Sequence, residues 1–325
     1  MEPTLYPLKF KPILKDKIWG GPKLRDVLGK NASDKAGESW EISGVEGDIS
    51  VAENGFLAGN SLQELTEIYM GDLMGDSIYE RFGMEFPLLI KFIDAADFLS
   101  VQVHPDDALA KERHNSYGKT EMWYIVESEK GQLIAGFNRE LEKEKYLQHT
   151  NGGTLKEILN YEAVAPGDIY YMPAGRVHAI GAGVLLAEIQ QTSDVTYRIY
   201  DWDRTDDQGK SRELHTDLAL DAIDFSFHNQ YKTPYQAMLN STVNAVDSPF
   251  FTTSVIHLDK PVEKDFNMID SFVIYMCMEG TAGITYGKGE IETIKKGESI
   301  LIPAGLKNLA LIPTEASTLL EVYIK

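Results

Sequence analysis

Gly167-Asp168-Ile169-Tyr170-Tyr171-Met172-Pro173-Ala174-Gly175-Arg176-Val177-His178 recurs further along the chain as Gly297-Glu298-Ser299-Ile300-Leu301-Ile302-Pro303-Ala304-Gly305-Leu306-Lys307-Asn308. Both copies read G-x5-P-x-G-x2 and close on a polar side chain. The glycine supplies a tight turn into a short strand, and Pro-Ala-Gly bends the chain out of it. The closing residue, His178 or Asn308, is then expected to point inward. The stretch 121–137 ahead of the first copy resembles the stretch around 271–286 ahead of the second. Short runs rich in Val, Ile, Tyr and Phe, punctuated by Gly and Pro, are the pattern of an all-β sandwich or barrel. The expected fold is mainly β, with two similar barrels from an internal duplication. The expected units are 1–235 and 236–325, joined near the loops Tyr231-Lys232-Thr233-Pro234 and Asp247-Ser248-Pro249.

Helical signals are fewer and fall in inserts, expected at about 60–85 and 105–117. Ser61-Leu62-Gln63-Glu64 has the form of a capping box, as does Thr154-Leu155-Lys156-Glu157. Pro105-Asp106-Asp107 predicts a helix with proline at its first position and acids near its positive end.

Ser100-Val101-Gln102-Val103-His104 opens a second line of reasoning. Side chains alternate along a strand, so Gln102 and His104 share a face. Glu121 opens the strand after the insert, and His178 closes the repeated motif. Two imidazoles, a carboxylate and an amide oxygen form a mixed N/O donor set suited to zinc, with manganese, iron, cobalt and nickel as alternatives. The second copy has Asn308 in place of the histidine and no carboxylate at the place of Glu121. Only the first unit is therefore expected to hold a metal.

The formal charge of -19 argues against nucleic acid or an anionic membrane as partner. No apolar run reaches the roughly 18 residues of a bilayer span. The first nine residues lack a basic-then-apolar leader pattern. The single cysteine, Cys277, fits a reducing compartment, and a cytoplasmic location is expected. Trp19, Trp40, Trp123 and Tyr124 are expected to be core residues.

In the order Q-x-H, E, P-x-G-x2-H, these residues resemble the two cupin motifs, with Gln102 where many cupins carry a first histidine. Val101-Gln102-Val103-His104-Pro105-Asp106-Asp107 resembles the type I mannose-6-phosphate isomerases, specifically their short bacterial form. So do Lys17-Ile18-Trp19-Gly20-Gly21, 37–43, 118–124 and 190–202. The resemblance extends over nearly the whole chain, most firmly over 15–215. It implies one zinc ion per chain and interconversion of mannose 6-phosphate and fructose 6-phosphate through a cis-enediol. It also implies catalytic roles for Lys119, Arg198 and Asp194. Such chemistry needs a base near C2, a shuttle for the hydroxyl proton and positive charge for the oxyanion. Lys119 falls two residues before Glu121, on the same strand face. Lys91, Lys119 and Arg198 are the expected contacts to the sugar phosphate, which arginine and lysine hold best. A monomer or homodimer is expected. Two other classes compete: a different metal cupin enzyme, and a non-catalytic sugar-phosphate sensor.

Overall fold

The computed structural model describes residues 5–205 and 208–325. Its chain is mainly β, in four open antiparallel sheets arranged as two pairs. In the first pair, one sheet runs in spatial order Ile13–Asp16, Ala36–Ile42, Leu88–Ala95, Val184–Gln191, Glu121–Ser128, Ile169–Met172. Its partner runs Tyr197–Tyr200, Val101–Val103, His178–Ile180, Gln132–Phe137, Leu159–Ala163. The second pair repeats the plan with Thr242–Asp247, Thr252–Leu258, Ser317–Tyr323, Val273–Glu279, Ser299–Ile302 in one sheet. The other holds Val262–Asp265, Asn308–Pro313, Thr281–Tyr286, Glu290–Lys295. The two expected barrels are thus not closed by hydrogen bonding among the described residues.

Burial explains why several strands read as continuous apolar runs. In Glu121–Ser128, Trp123 and Ile125 face the space between the first two sheets and pack with Ile93, Tyr170 and Leu186. Met122, Tyr124 and Val126 face the other way, into a core shared with Ile274, Met276, Leu320 and Val322 of the second pair. A strand covered on both faces loses the polar alternation of a half-exposed one. The second pair of sheets therefore supplies the apolar surface that the outer face of the first requires.

The helix Leu62–Met74 begins on the expected capping box: Ser61 accepts from the Glu64 amide, and Glu64 accepts from the Ser61 amide. Asp76–Phe82 completes that insert. The helix Asp107–His114 falls within the other, but proline is not its first residue. Asp106 is the N-cap, accepting from the Leu109 amide at 2.9 Å, and Pro105 precedes it. Thr154 does not open an α-helix either. Its hydroxyl pairs with the ring of His149, in the preceding helix Lys143–Asn151, and only a 3-10 turn follows over Leu155–Glu157. That helix and Thr216–Ala222 lack strong start signals and were not expected from the sequence. The expected core aromatics are buried: Trp19, Trp40, Trp123 and Tyr124 all are. No helix among the described residues is long and apolar enough to cross a membrane.

The second pair of sheets also finishes the first insert. Ala304 and Gly305, in the second Pro-Ala-Gly, donate to the Leu73 and Asp72 carbonyls at the end of Leu62–Met74. Asp270 accepts from the amides of Asp76 and Ser77, each at 2.9 Å, and so caps the next helix from a distant part of the chain. These hydrogen bonds hold the Asp270 carboxyl below its ordinary range. A group depressed in the folded state stabilises above its unfolded pKa and loses that contribution as the pH falls. Asp270→Ala is expected to cost about 1 kcal/mol in urea unfolding at neutral pH, by loss of a cap. The difference from wild type should begin to shrink below about pH 4, the unfolded carboxyl range, and disappear only as the pH falls through the depressed folded value.

Candidate metal centre

Register places the site before any side chain is considered. In the five-stranded sheet, Arg198 stands directly opposite Gln102, and Gln102 directly opposite His178. Directly opposed residues share a face with Cβ atoms about 5 Å apart. In the facing sheet, Gln190 stands opposite Glu121, and Glu121 opposite Met172. One row deeper, Trp40, Lys91, Glu188, Trp123 and Tyr170 lie side by side across five strands. His104 follows the end of its strand, where its carbonyl accepts from Gly175 of the first Pro-Ala-Gly at 2.9 Å. The repeated motif thus holds one ligand through its bend and presents another at its end.

The imidazole Nε2 of His178 lies 3.2 Å from Glu121 Oε1, and that of His104 lies 3.5 Å from Oε2. All three side chains are about 1% exposed, so water does not screen them. Each imidazole is fixed from behind: His104 Nδ1 lies 3.0 Å from the Val195 carbonyl, and His178 Nδ1 2.8 Å from that of Arg176. A carbonyl can only accept, so Nδ1 carries the proton and Nε2 presents a lone pair. Burial lowers both histidine pKa values, that of His104 strongly, with Lys119 adding repulsion. Both are therefore neutral at pH 7.

Two lone pairs then converge on a carboxylate. His104 Nε2 and both Glu121 oxygens are buried without a hydrogen-bond partner among the described residues. Such an arrangement is costly unless a cation occupies its centre. Donor atoms of the three residues all lie within 4.8 Å of one another, the spacing of a shared ion. Gln102 completes the set: its Nε2 lies 3.4 Å from His178 Nε2. The amide's two ends are nearly isosteric, so Oε1 can take the same place as a fourth donor. The residues fit a divalent metal.

Comparisons with known proteins agree with this geometry. The family model "Phosphomannose isomerase type I, catalytic domain" matches residues 7–140, and "Mannose-6-phosphate isomerase, cupin domain" matches 241–314. The chain is 36% identical over 310 residues to mannose-6-phosphate isomerase ManA of Bacillus subtilis (strain 168), covering 93% of this chain and 95% of that one. It is also 36% identical to mannose-6-phosphate isomerase of Streptococcus mutans, covering 93% and 94%. The crystal structure of the Bacillus subtilis mannose 6-phosphate isomerase superposes with a TM-score of 0.88 at 32% identity, over 98% of this chain and all of that one.

The chain belongs to the type I phosphomannose isomerases.

The metal-binding end of this phosphomannose isomerase carries more than the sequence-expected residues. Lys119 is buried, with Nζ 3.8 Å from Glu121 Oε2. Arg198 has a buried Nε without a partner among the described residues, while one terminal nitrogen donates to the Glu213 carbonyl at 2.9 Å. Burial and then Arg212 lower its pKa, with Asp201 opposing and Arg204 adding further repulsion. Asp201 is already shared by Arg204 and Arg212. Lys91 is buried, bonded to Glu188 at 2.9 Å and to Gln190 at 2.7 Å. Burial opposes its charge, but Glu188 and Glu38 outweigh it and raise the pKa. Asp194 is exposed, on the wall of a cavity of about 940 Å3 beyond Val195. The contacts that orient Arg198 come from the Glu213 carbonyl and the His215 ring.

Glu188 escaped the sequence reading, yet it accepts from both Lys91 and Trp123 Nε1. An acid following the apolar run 184–187 in the strand Val184–Gln191 was the available signal. Arg204 and Arg212 had none, because only the fold brings them to Arg198.

A divalent ion added to metal-free protein is expected to raise the Tm, since it binds only the folded state. Glu121→Gln should remove most of that rise, measured by differential scanning calorimetry.

Proposed function

We propose that this chain is a metal-dependent aldose-ketose isomerase interconverting mannose 6-phosphate and fructose 6-phosphate. The convergence of His104, Glu121 and His178, with His104 Nε2 and both Glu121 oxygens unpartnered among the described residues and with Lys119 and Arg198 alongside, carries the reading. The comparisons support it over most of both chains. We take the resident ion to be zinc, held by Gln102, His104, Glu121 and His178. When bound, such an ion stabilises oxyanion charge as a Lewis acid and fixes sugar oxygens.

The chain's own residues supply the rest. Isomerisation moves a proton from C2 to C1 through a cis-enediol. Lys119 takes the C2 proton and returns it to C1, shielded from solvent by its burial. Arg198 meets the negative charge of the substrate. Its neighbours Arg204 and Arg212 share a single carboxylate, so a phosphate dianion relieves their mutual repulsion. Lys91 and Glu188 form a fixed ion pair one row deeper, and Lys91 reaches the sugar from there. Asp194, exposed on the wall of the adjoining cavity, is assigned the relay of protons to solvent. All these groups come from one chain, so a monomer suffices and a homodimer is compatible.

The boundary between the two units stays near residue 235, and each pair of sheets is read as a jelly roll of the cupin kind. The compartment is the cytoplasm. The Cys277 thiol fits a reducing setting, being buried and held by desolvation at about 12, well above the reactive range.

The test is a coupled assay for fructose 6-phosphate formed from mannose 6-phosphate, before chelation, after it, and after zinc is restored. Activity lost and regained is the expected result. Lys119→Met should lower kcat by about 10^2- to 10^4-fold, the usual share of general acid-base catalysis. A folded, metal-loaded sample without turnover would overturn the enzyme and favour a sugar-phosphate sensor.

A further inference from the structure

Lys119 has little to hold it except its own backbone: among the described residues, the one charged partner of its side chain is the Glu121 carboxylate, 3.8 Å away. The backbone around it, by contrast, is pinned at nearly every step. Gln191 Oε1 accepts from the Thr120 amide at 2.8 Å, and the Gln191 amide donates to the Thr120 carbonyl at 3.1 Å. The other end of the same side chain, Nε2, donates to Asp107 Oδ1 at 2.9 Å. That oxygen also accepts from the Gly118 amide at 2.8 Å. Ser193 Oγ donates to the Tyr117 carbonyl at 2.9 Å, and the Lys119 amide donates to the Pro105 carbonyl at 3.1 Å. Gln191, Ser193 and Thr120 are all buried.

We propose that Gln191, with Ser193, is a positioning clamp that sets Lys119 for proton transfer by fixing the backbone of 117–120. This rests on the assignment of Lys119 made above. The chemistry of position 191 is specific. Its side chain must accept from an N–H at one atom and donate to a carboxylate at the other. A primary amide of glutamine length does both; a carboxylate would face Asp107 with like charge, and a hydrocarbon would leave the Thr120 amide buried and unpaired. Asp107, Tyr117, Gln191 and Ser193 also line the cavity of about 940 Å3. A group displaced by about 1 Å can lose about 10^2 in rate, so a backbone clamp has catalytic weight without touching substrate.

The experiment compares Gln191→Met, Lys119→Met and the double variant with wild type. Amide hydrogen exchange on metal-free protein is the readout that does not depend on turnover. Gln191→Met is expected to raise exchange at Gly118, Lys119 and Thr120 by about tenfold or more, reporting local opening. In the metal-loaded enzyme kcat should fall about 10- to 100-fold with KM within about twofold, and metal content should be unchanged. On the Lys119→Met background the further loss should be less than about twofold, because coupled residues are non-additive. Ser193→Ala, which removes one bond only, should show the same pattern at smaller size and carries the test if Gln191→Met does not fold. Unchanged exchange would overturn the clamp. So would a fully additive loss in the double variant, or loss of metal, because the effect would then not pass through Lys119. Full activity in Lys119→Met would instead sink the assignment of the base, and the exchange data alone would decide whether 117–120 is clamped.

Discussion

A carboxylate buried without a proton donor governs this molecule. Glu121 carries both oxygens into a space about 1% open to solvent, facing two imidazole nitrogens whose protons lie on the opposite side of each ring. Two carbonyls, of Val195 and Arg176, dictate that tautomer. An uncompensated charge in such a place costs several kcal/mol, and a divalent ion offsets it by attraction to all the donors at once. The folded chain therefore builds a cation site by leaving His104 Nε2 and both Glu121 oxygens without a hydrogen-bond partner among the described residues. The strand ends, the Pro-Ala-Gly bend and the loop before Tyr197–Tyr200 each contribute one restraint to that arrangement.

The duplicated motif shows what happens when this constraint is lifted. Register puts Val273 where the first copy has Glu121, because each stands opposite the last residue before its Pro-Ala-Gly, Ile302 and Met172. Asn308 pairs with Asp265 as His178 pairs with Gln102, and both Asn308 and Asp265 are exposed. The ligand layer has opened to water. The row beneath it persists: Tyr275 donates to Glu321 at 2.6 Å, as Trp123 donates to Glu188 at 2.9 Å, from equivalent register positions. Lys264 answers Glu321 as Lys91 answers Glu188, but from the opposite sheet. A buried acid kept its cation through both histories, since losing one partner of such a pair costs more than exchanging it. Freed of metal, the second Pro-Ala-Gly instead satisfies the last carbonyls of Leu62–Met74.

Charge is distributed against the global balance. The chain is strongly acidic as a whole, yet Lys91, Lys119, Arg198, Arg204 and Arg212 gather around one end of the first pair of sheets. Buried or partly buried groups are little screened, so this local field outweighs distant surface carboxylates for an anion already within reach.

The sequence by itself determined the candidate cluster of His104, Glu121 and His178, the duplicated plan and the β character, because each rests on local chemistry. Strand alternation puts Gln102 and His104 on one face, and a Pro-Ala-Gly bend terminates the strand ahead of it in both copies of the motif. The Ser61 capping box was legible for the same reason: its two hydrogen bonds span three residues. Thr154 looked the same in sequence and behaved differently, because a hydroxyl already held by His149 cannot cap the turn that follows. Only the tertiary structure decided the rest. It alone brought Glu188 to Lys91, Gln191 to Thr120 and Asp270 to the start of a helix nearly two hundred residues earlier, |i−j| = 194. It left the sheets open rather than closed, and gathered Arg204 and Arg212 beside Arg198. Those pairings depend on sheet register and on which strands become neighbours, and register is settled by packing across the whole core, not by the residues nearby.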